Sequence, residues 1–162
     1  MRCPVLVWKW LTISRNPRPI ELTGSRHMAR RSVVQALYQW ELTGELGPEI
    51  EDSFLNDWGM EGVDQGYFKL LVRGVLKTTA ELDGILEQCL DRDLASVDPI
   101  ERTVLRIGTY ELRFRSEIPV RVVLNEAIEL ARVFGAEEGY RFVNGVLDRC
   151  QKLCRRSELP VA

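Results

Sequence analysis

From Met28 onward the apolar residues recur every three or four positions, the period of an amphipathic helix, and no stretch keeps the alternation of a strand. A first helix is predicted over about 29–43, with Val33, Val34, Leu37, Tyr38 and Leu42 inward and Gly44 as its stop. Pro48 opens a short second helix with Ile50, Phe54, Leu55 and Trp58, closed by Gly59. A long seam follows from Asp64 to about Arg92 through Phe68, Leu71, Val72, Val75, Thr79, Leu82, Leu86 and Cys89, with a break expected near Gly74 or Thr78. In Asp98-Pro99-Ile100-Glu101, Asp98 caps a helix, Pro99 takes a position that needs no donor, and Glu101 stands at the third turn position. That helix should reach about Arg115. Pro119 starts the next, Gly135 ends it, and Glu137 or Glu138 begins the last, which turns Phe142, Val143, Val146, Leu147, Cys150 and Leu153 inward. About seven helices with short connections predict an all-α bundle.

The stretch Val123–Gly135 raises a problem. Leu124, Ala127, Ile128, Ala131 and Phe134 share one helical face, yet Val122, Leu130 and Val133 cover much of the other, which marks a central helix. Glu126 projects among them. A carboxylate there must be paired, because burying it alone costs several kcal/mol or more. The expected partner is one of Arg102, Arg106 and Arg113, a stripe on the preceding helix; capping a helix start is the other option.

Composition fits one compact domain of 162 residues, 45% apolar and 28% charged. The net charge of −2 hides an asymmetry: residues 1–31 hold seven basic side chains against one acidic, and the remainder is acidic. Such a leading arm suits an anionic partner, nucleic acid above all, or is simply a solvated tail. Residues 1–27 carry three prolines and no usable period, so they read as a leader ahead of a domain at 28–155, with a tail at 156–162. The four cysteines form no disulfide pattern, which fits a reducing cytoplasm, and no run reaches the ~20 apolar residues of a membrane span.

Catalysis finds no constellation. His27 is the only histidine, Cys150 and Cys154 lack the further ligands of a zinc site, and no phosphate-binding glycine loop or dinucleotide motif occurs, so no cofactor is expected. Recognition has better material. Arg26, Arg30 and Arg31 precede Gln35, Tyr38 and Trp40, and arginines neutralise phosphates while rings stack on unpaired bases, a combination suited to single-stranded RNA. A basic N-terminus beside core aromatics is the plainer reading.

Four blocks bear on that choice: Arg30–Gly44 (RRSVVQALYQWELTG), Glu101–Leu112 (ERTVLRIGTYEL), Val123–Glu138 (VLNEAIELARVFGAEE) and Phe142–Asp148 (FVNGVLD). In this order they resemble the NusB family of bacterial transcription antitermination proteins. The resemblance implies two packed three-helix halves, no enzymatic activity, and a partnership with ribosomal protein NusE on the boxA RNA of ribosomal RNA leaders, with other Nus factors and RNA polymerase engaged indirectly. By the same similarity the family's arginine cluster maps to Arg26, Arg30 and Arg31, with Tyr38, Arg141 and Phe142 as further RNA contacts, though either aromatic could instead be core. Glu101 and Arg106 fall where the family faces NusE. His27 and Met28 stand where some relatives continue with arginine. The rival readings are the RNA-binding domain of an RNA methyltransferase, with a catalytic half after residue 155, and a self-associating module, a homodimer covering the face of Arg30 and Tyr38.

Overall fold

The computed structural model describes residues 24–45, 47–57, 60 and 62–155. The leader up to residue 23, Trp58, Gly59 and the tail from residue 156 lie outside the described residues. Six α-helices follow in order: α1 (Ser25–Thr43), α2 (Gly47–Asp57), α3 (Gln65–Cys89), α4 (Pro99–Phe114), α5 (Val120–Phe134) and α6 (Gly139–Cys154), with a 3₁₀ turn at Leu94–Ser96 before α4. The first three form one half and the last three the other, joined where α3 packs on α4 and α6, and α1 on α4 and α5. One continuous core runs through all six helices.

The helix ends follow from local chemistry. The Asp98 carboxylate accepts from the backbone N–H groups of Ile100 (2.9 Å) and Glu101 (3.4 Å), with Pro99 opening α4. Asp64 caps α3 by accepting from the Tyr67 N–H at 2.9 Å. Gly44 adopts φ +70°, the left-handed conformation that glycine reaches without penalty, and its N–H closes α1 on the Trp40 carbonyl. The break expected in α3 is a kink within one helix: Thr78 leaves helical geometry (φ −112°, ψ 15°) as its hydroxyl and that of Thr79 donate back to the Gly74 and Val75 carbonyls.

Four expectations change. The first helix starts at Ser25, so His27 lies within α1. Leu42 and Leu153 are exposed (55% and 38%), since neither α1 nor α6 is covered to its last turn among the described residues. The last helix starts at Gly139, after Glu138 in a left-handed conformation. The central helix is α4, buried without interruption from Thr103 to Thr109, while α5 keeps Val122 exposed and buries only Val123, Ala127, Leu130 and Ala131.

Two glycines allow the helices to approach α4. A Cβ on Gly74 would lie 2.3 Å from the Tyr110 ring, and one on Gly108 would lie 2.7 Å from Leu147. The far end of α4 is held by Arg155, 5% exposed, whose guanidinium donates to the carbonyls of Leu112 (2.9 Å), Glu111 (3.0 Å), Arg115 (2.8 Å) and Ile118. The Glu111 and Arg115 carbonyls also accept the backbone N–H groups of Arg115 and Ile118, so Arg155 adds side-chain donors where the intrahelical ladder runs out. Replacing Gly74 by alanine is expected to destabilise the fold by about 1–3 kcal/mol through the clash with Tyr110, measured by denaturant unfolding.

Candidate nucleic-acid interface

The helices α1 and α4 run antiparallel, because Arg30 near the start of α1 meets Glu111 near the end of α4, and Glu41 near the end of α1 meets Arg102 near the start of α4. Two clusters of cations and rings therefore sit at opposite ends of this pair.

At the first end α1 starts without help of its own: Gly24 provides no capping side chain and the first turn contains no acid. Arg26, half-exposed, lies 3.8 Å from Asp64 and 4.8 Å above the Tyr67 ring. His27 Nδ1 is 2.6 Å from Glu126 Oε2. Arg30 is only 4% exposed; its Nε donates to Glu111 at 2.8 Å, a terminal nitrogen lies 3.6 Å from Glu126, and the Tyr67 hydroxyl donates to the same Glu111 carboxylate. Arg31, Gln35 and Tyr38 are half-buried at spacings of four and three, one strip along the outer face of α1, and Arg31 has no carboxylate partner among the described residues.

The electrostatics follow from burial. Burial opposes the charge on Arg30, but Glu111, Tyr67 and Glu126 outweigh it and hold the guanidinium more firmly protonated than usual. Burial lifts the Glu111 carboxyl above its ordinary range, and Arg30 and Tyr67 reverse this only in part. Burial also drives the Tyr67 hydroxyl upward, reinforced by the Glu111 charge. For the less buried Glu126 burial works upward too, yet the hydrogen bond from His27 and the charge of Arg30 leave it below the ordinary value.

At the second end, cations stack on rings around the start of α6. The Arg92 guanidinium lies 4.8 Å from the Phe142 ring, Arg132 lies 4.5 Å and Arg141 5.8 Å from the Tyr140 ring, and Arg141 pairs with Glu138 at 2.7 Å. Phe142 and Tyr38 are each half-buried and packed against the core, so both lie at its margin. Glu101 is half-buried, its carboxyl so close to Gly139 that a Cβ there would fall 2.2 Å from it; burial and then the Asp98 charge raise it, against the opposing Arg92.

Two of the sequence-predicted contacts are turned inward. Arg30 cannot present its charge at the surface, because Glu111 and Tyr67 enclose it. Arg106, 9% exposed, forms a two-pronged pair with Asp83 (2.8 and 2.9 Å) beneath Trp40, five residues and so well over a quarter turn away from Glu101 on α4. The partners expected for Glu126 are engaged elsewhere: Arg102 with Glu41, Arg106 with Asp83, Arg113 with Glu81. Glu126 is an internal tie, as its position required, but to α1. Sequence reasoning missed Glu111 and Tyr67, although Glu111 shows the same signal as Glu126, an acid on a face of apolar residues. It also missed Arg92, Arg132 and Tyr140, which carry no spacing signal. Among the described residues no group of three or more His, Cys, Asp or Glu is placed to hold a metal ion, and no helix is long and apolar enough to cross a membrane.

An all-helical body with two clusters of arginines and rings, and with Glu41, Asp83, Glu111 and Glu126 tied to cations inside it, defines a recognition platform. The NusB family model matches residues 27–152, and the chain belongs to the NusB family. It is similar to the transcription antitermination protein NusB of Shewanella amazonensis, 49% identical over 76% of this chain and 92% of that protein, and to that of Nitrosococcus oceani, 47% identical over 85% and 92%. Among solved structures it resembles NusB of T. maritima (30% identical, TM-score 0.70, 82% of this chain and 94% of that one). It also resembles a chain from a crystal structure of antitermination factors NusB and NusE in complex with dsRNA (28% identical, TM-score 0.74, 82% and 99%). As a member of this family of transcription factors, the chain is not an enzyme.

The internal ties make separable stability predictions. Glu111→Ala leaves Arg30 buried and unpaired and is expected to cost about 3–5 kcal/mol. Glu126→Ala should cost about 1 kcal/mol at neutral pH, or about 3 °C in melting temperature. Because the folded-state Glu126 carboxyl sits below its ordinary value of 4.5, this stabilisation is complete above that value and is lost as pH falls through the lower folded-state value. Thermal melts of wild type and variant from pH 7 down to pH 3 should converge.

Proposed function

We propose that this chain is a non-catalytic transcription antitermination factor that binds RNA jointly with NusE, on a boxA-type element of ribosomal RNA operons, in the cytoplasm where that transcript is made. The observation that carries the reading is the match, over 82% of the chain, to NusB solved together with NusE and RNA. Physical features agree with it. Arg26 and Arg31 on α1 are available to phosphates, and Gln35 and Tyr38 continue the strip with hydrogen-bonding and stacking capacity. Arg141 is exposed (72%) beside Phe142, a second point of contact at the other end of the helix pair. Arg30 enters this proposal as the strut beneath the strip, and Arg106 as a support beneath Trp40 for the face on which Glu101 meets NusE. Other Nus factors and RNA polymerase join through this assembly.

Two proteins on one strand add their contacts, so the pair binds more tightly than either alone. The chain alone should bind a short boxA RNA weakly, and adding NusE should tighten binding with a steep salt dependence. Arg31→Ala should reduce the slope of log K against log salt by about one unit, with little change in melting temperature. Unchanged affinity on adding NusE overturns the joint mechanism. A chain that sediments as a dimer and releases no RNA-binding monomer points to self-association instead.

A further inference from the structure

The start of α1 runs against helix electrostatics. The free N–H groups of a helix N-terminus carry a partial positive charge, so acids are favoured there and cations disfavoured. Here the first two turns contain Arg26, His27, Arg30 and Arg31, no acid in the first turn, and a Gly24 cap without a side-chain acceptor. Such an end frays unless something outside the helix holds it. Three other elements do so. Asp64, at the start of α3, donates its N–H to the Ser25 carbonyl at 3.1 Å and sets its carboxylate 3.8 Å from Arg26. Glu111 of α4 takes Arg30. Glu126 of α5 takes His27 at 2.6 Å and reaches Arg30 at 3.6 Å.

These contacts differ in kind. The Arg30–Glu111 pair is buried and belongs to the core, whereas the His27–Glu126 pair is at the margin, 18% and 22% exposed, one turn ahead of it. His27 is flanked on α1 by Arg26, which lies against Asp64, and by Arg31, which has no carboxylate partner among the described residues. The charged groups that act on Glu126 from outside the pair are Arg30 of α1, at 3.6 Å, and Glu111 of α4.

We propose that Glu126 is a positioning residue for RNA capture: paired with His27, it anchors the first turn of α1 so that Arg26 and Arg31 are held toward the RNA phosphates, an inference that rests on the RNA-binding function proposed above. Glu126 does not touch the RNA. Its effect passes through His27, whose ring it holds at 2.6 Å.

The test is a titration of the full chain with a short boxA RNA at constant ionic strength and pH, with circular dichroism and thermal melts on each variant to show that it is folded. Glu126→Gln and His27→Gln should each weaken binding by about three- to tenfold, and the double variant no more than either alone. His27→Arg, which keeps a side chain able to pair with Glu126, should preserve strong binding while Glu126 is present and lose that advantage in the Glu126→Gln background. A role for His27 as a direct phosphate contact predicts the opposite for Glu126→Gln, because removing the carboxylate frees the His27 ring and tightens binding; that result overturns the proposal. So does a folded Glu126→Gln protein with wild-type affinity. If wild type binds no RNA, with or without NusE, the RNA-binding reading itself fails and takes this inference with it.

Discussion

The pairing of Arg30 with Glu111 governs how the two halves of the molecule meet. A guanidinium and a carboxylate enclosed between α1 and α4 must satisfy each other, since separating them would strand a charge in the core. The Tyr67 hydroxyl takes up further capacity of the same carboxylate, so α3 is bound into the arrangement. Sliding α1 along α4 by one residue would break the pair and leave Glu111 with the Tyr67 hydroxyl alone. The outer strip of Arg31, Gln35 and Tyr38 therefore has a fixed heading that no surface residue needs to enforce.

Internal pairing also explains how an acidic chain can serve an anionic partner. Many of its carboxylates face inward or lie beside arginines: Glu111 and Glu126 under α1, Glu41 and Asp83 around Arg102 and Arg106, Glu51 with Arg73. Arg26 on α1 and Arg141 at the start of α6 remain exposed, and the stacks on Phe142 and Tyr140 set arginines beside half-buried rings. Local field rather than net charge decides what such a surface attracts.

Legibility in the sequence divides along the same line. Asp98 with Pro99, Gly44 and Pro119 act within a few residues of themselves, and the helix ends they mark are where the chemistry of those residues puts them. The need of Glu126 for a partner was equally local and equally readable. Its partner was not, because His27 lies 99 positions away and helical periodicity says nothing about which helices adjoin. The inward turn of Arg30 was hidden for the same reason: a run of arginines looks like a surface until an acid on a distant helix is found to face one of them. The centre of the bundle was misplaced because α4 interleaves Thr103, Arg106, Thr109 and Glu111 among its apolar residues, and polar side chains satisfied inside a core look like solvent-facing ones in a one-dimensional pattern. Of the site, the strip on α1 was visible from residue type and spacing, while the stacks of Arg92 and Arg132 depend on loops and on the approach of α6.

The guanidinium of Arg155 brings time into the picture. It supplies the donors for four carbonyls at the end of α4 and in the connection to α5, yet it follows α6 in the chain. As the polypeptide is synthesised, the carbonyls at the end of α4 and beyond it lack these donors until α6 and residue 155 have followed. The N-terminal half can collapse early, but this end of the most enclosed helix is locked only after α6 has docked.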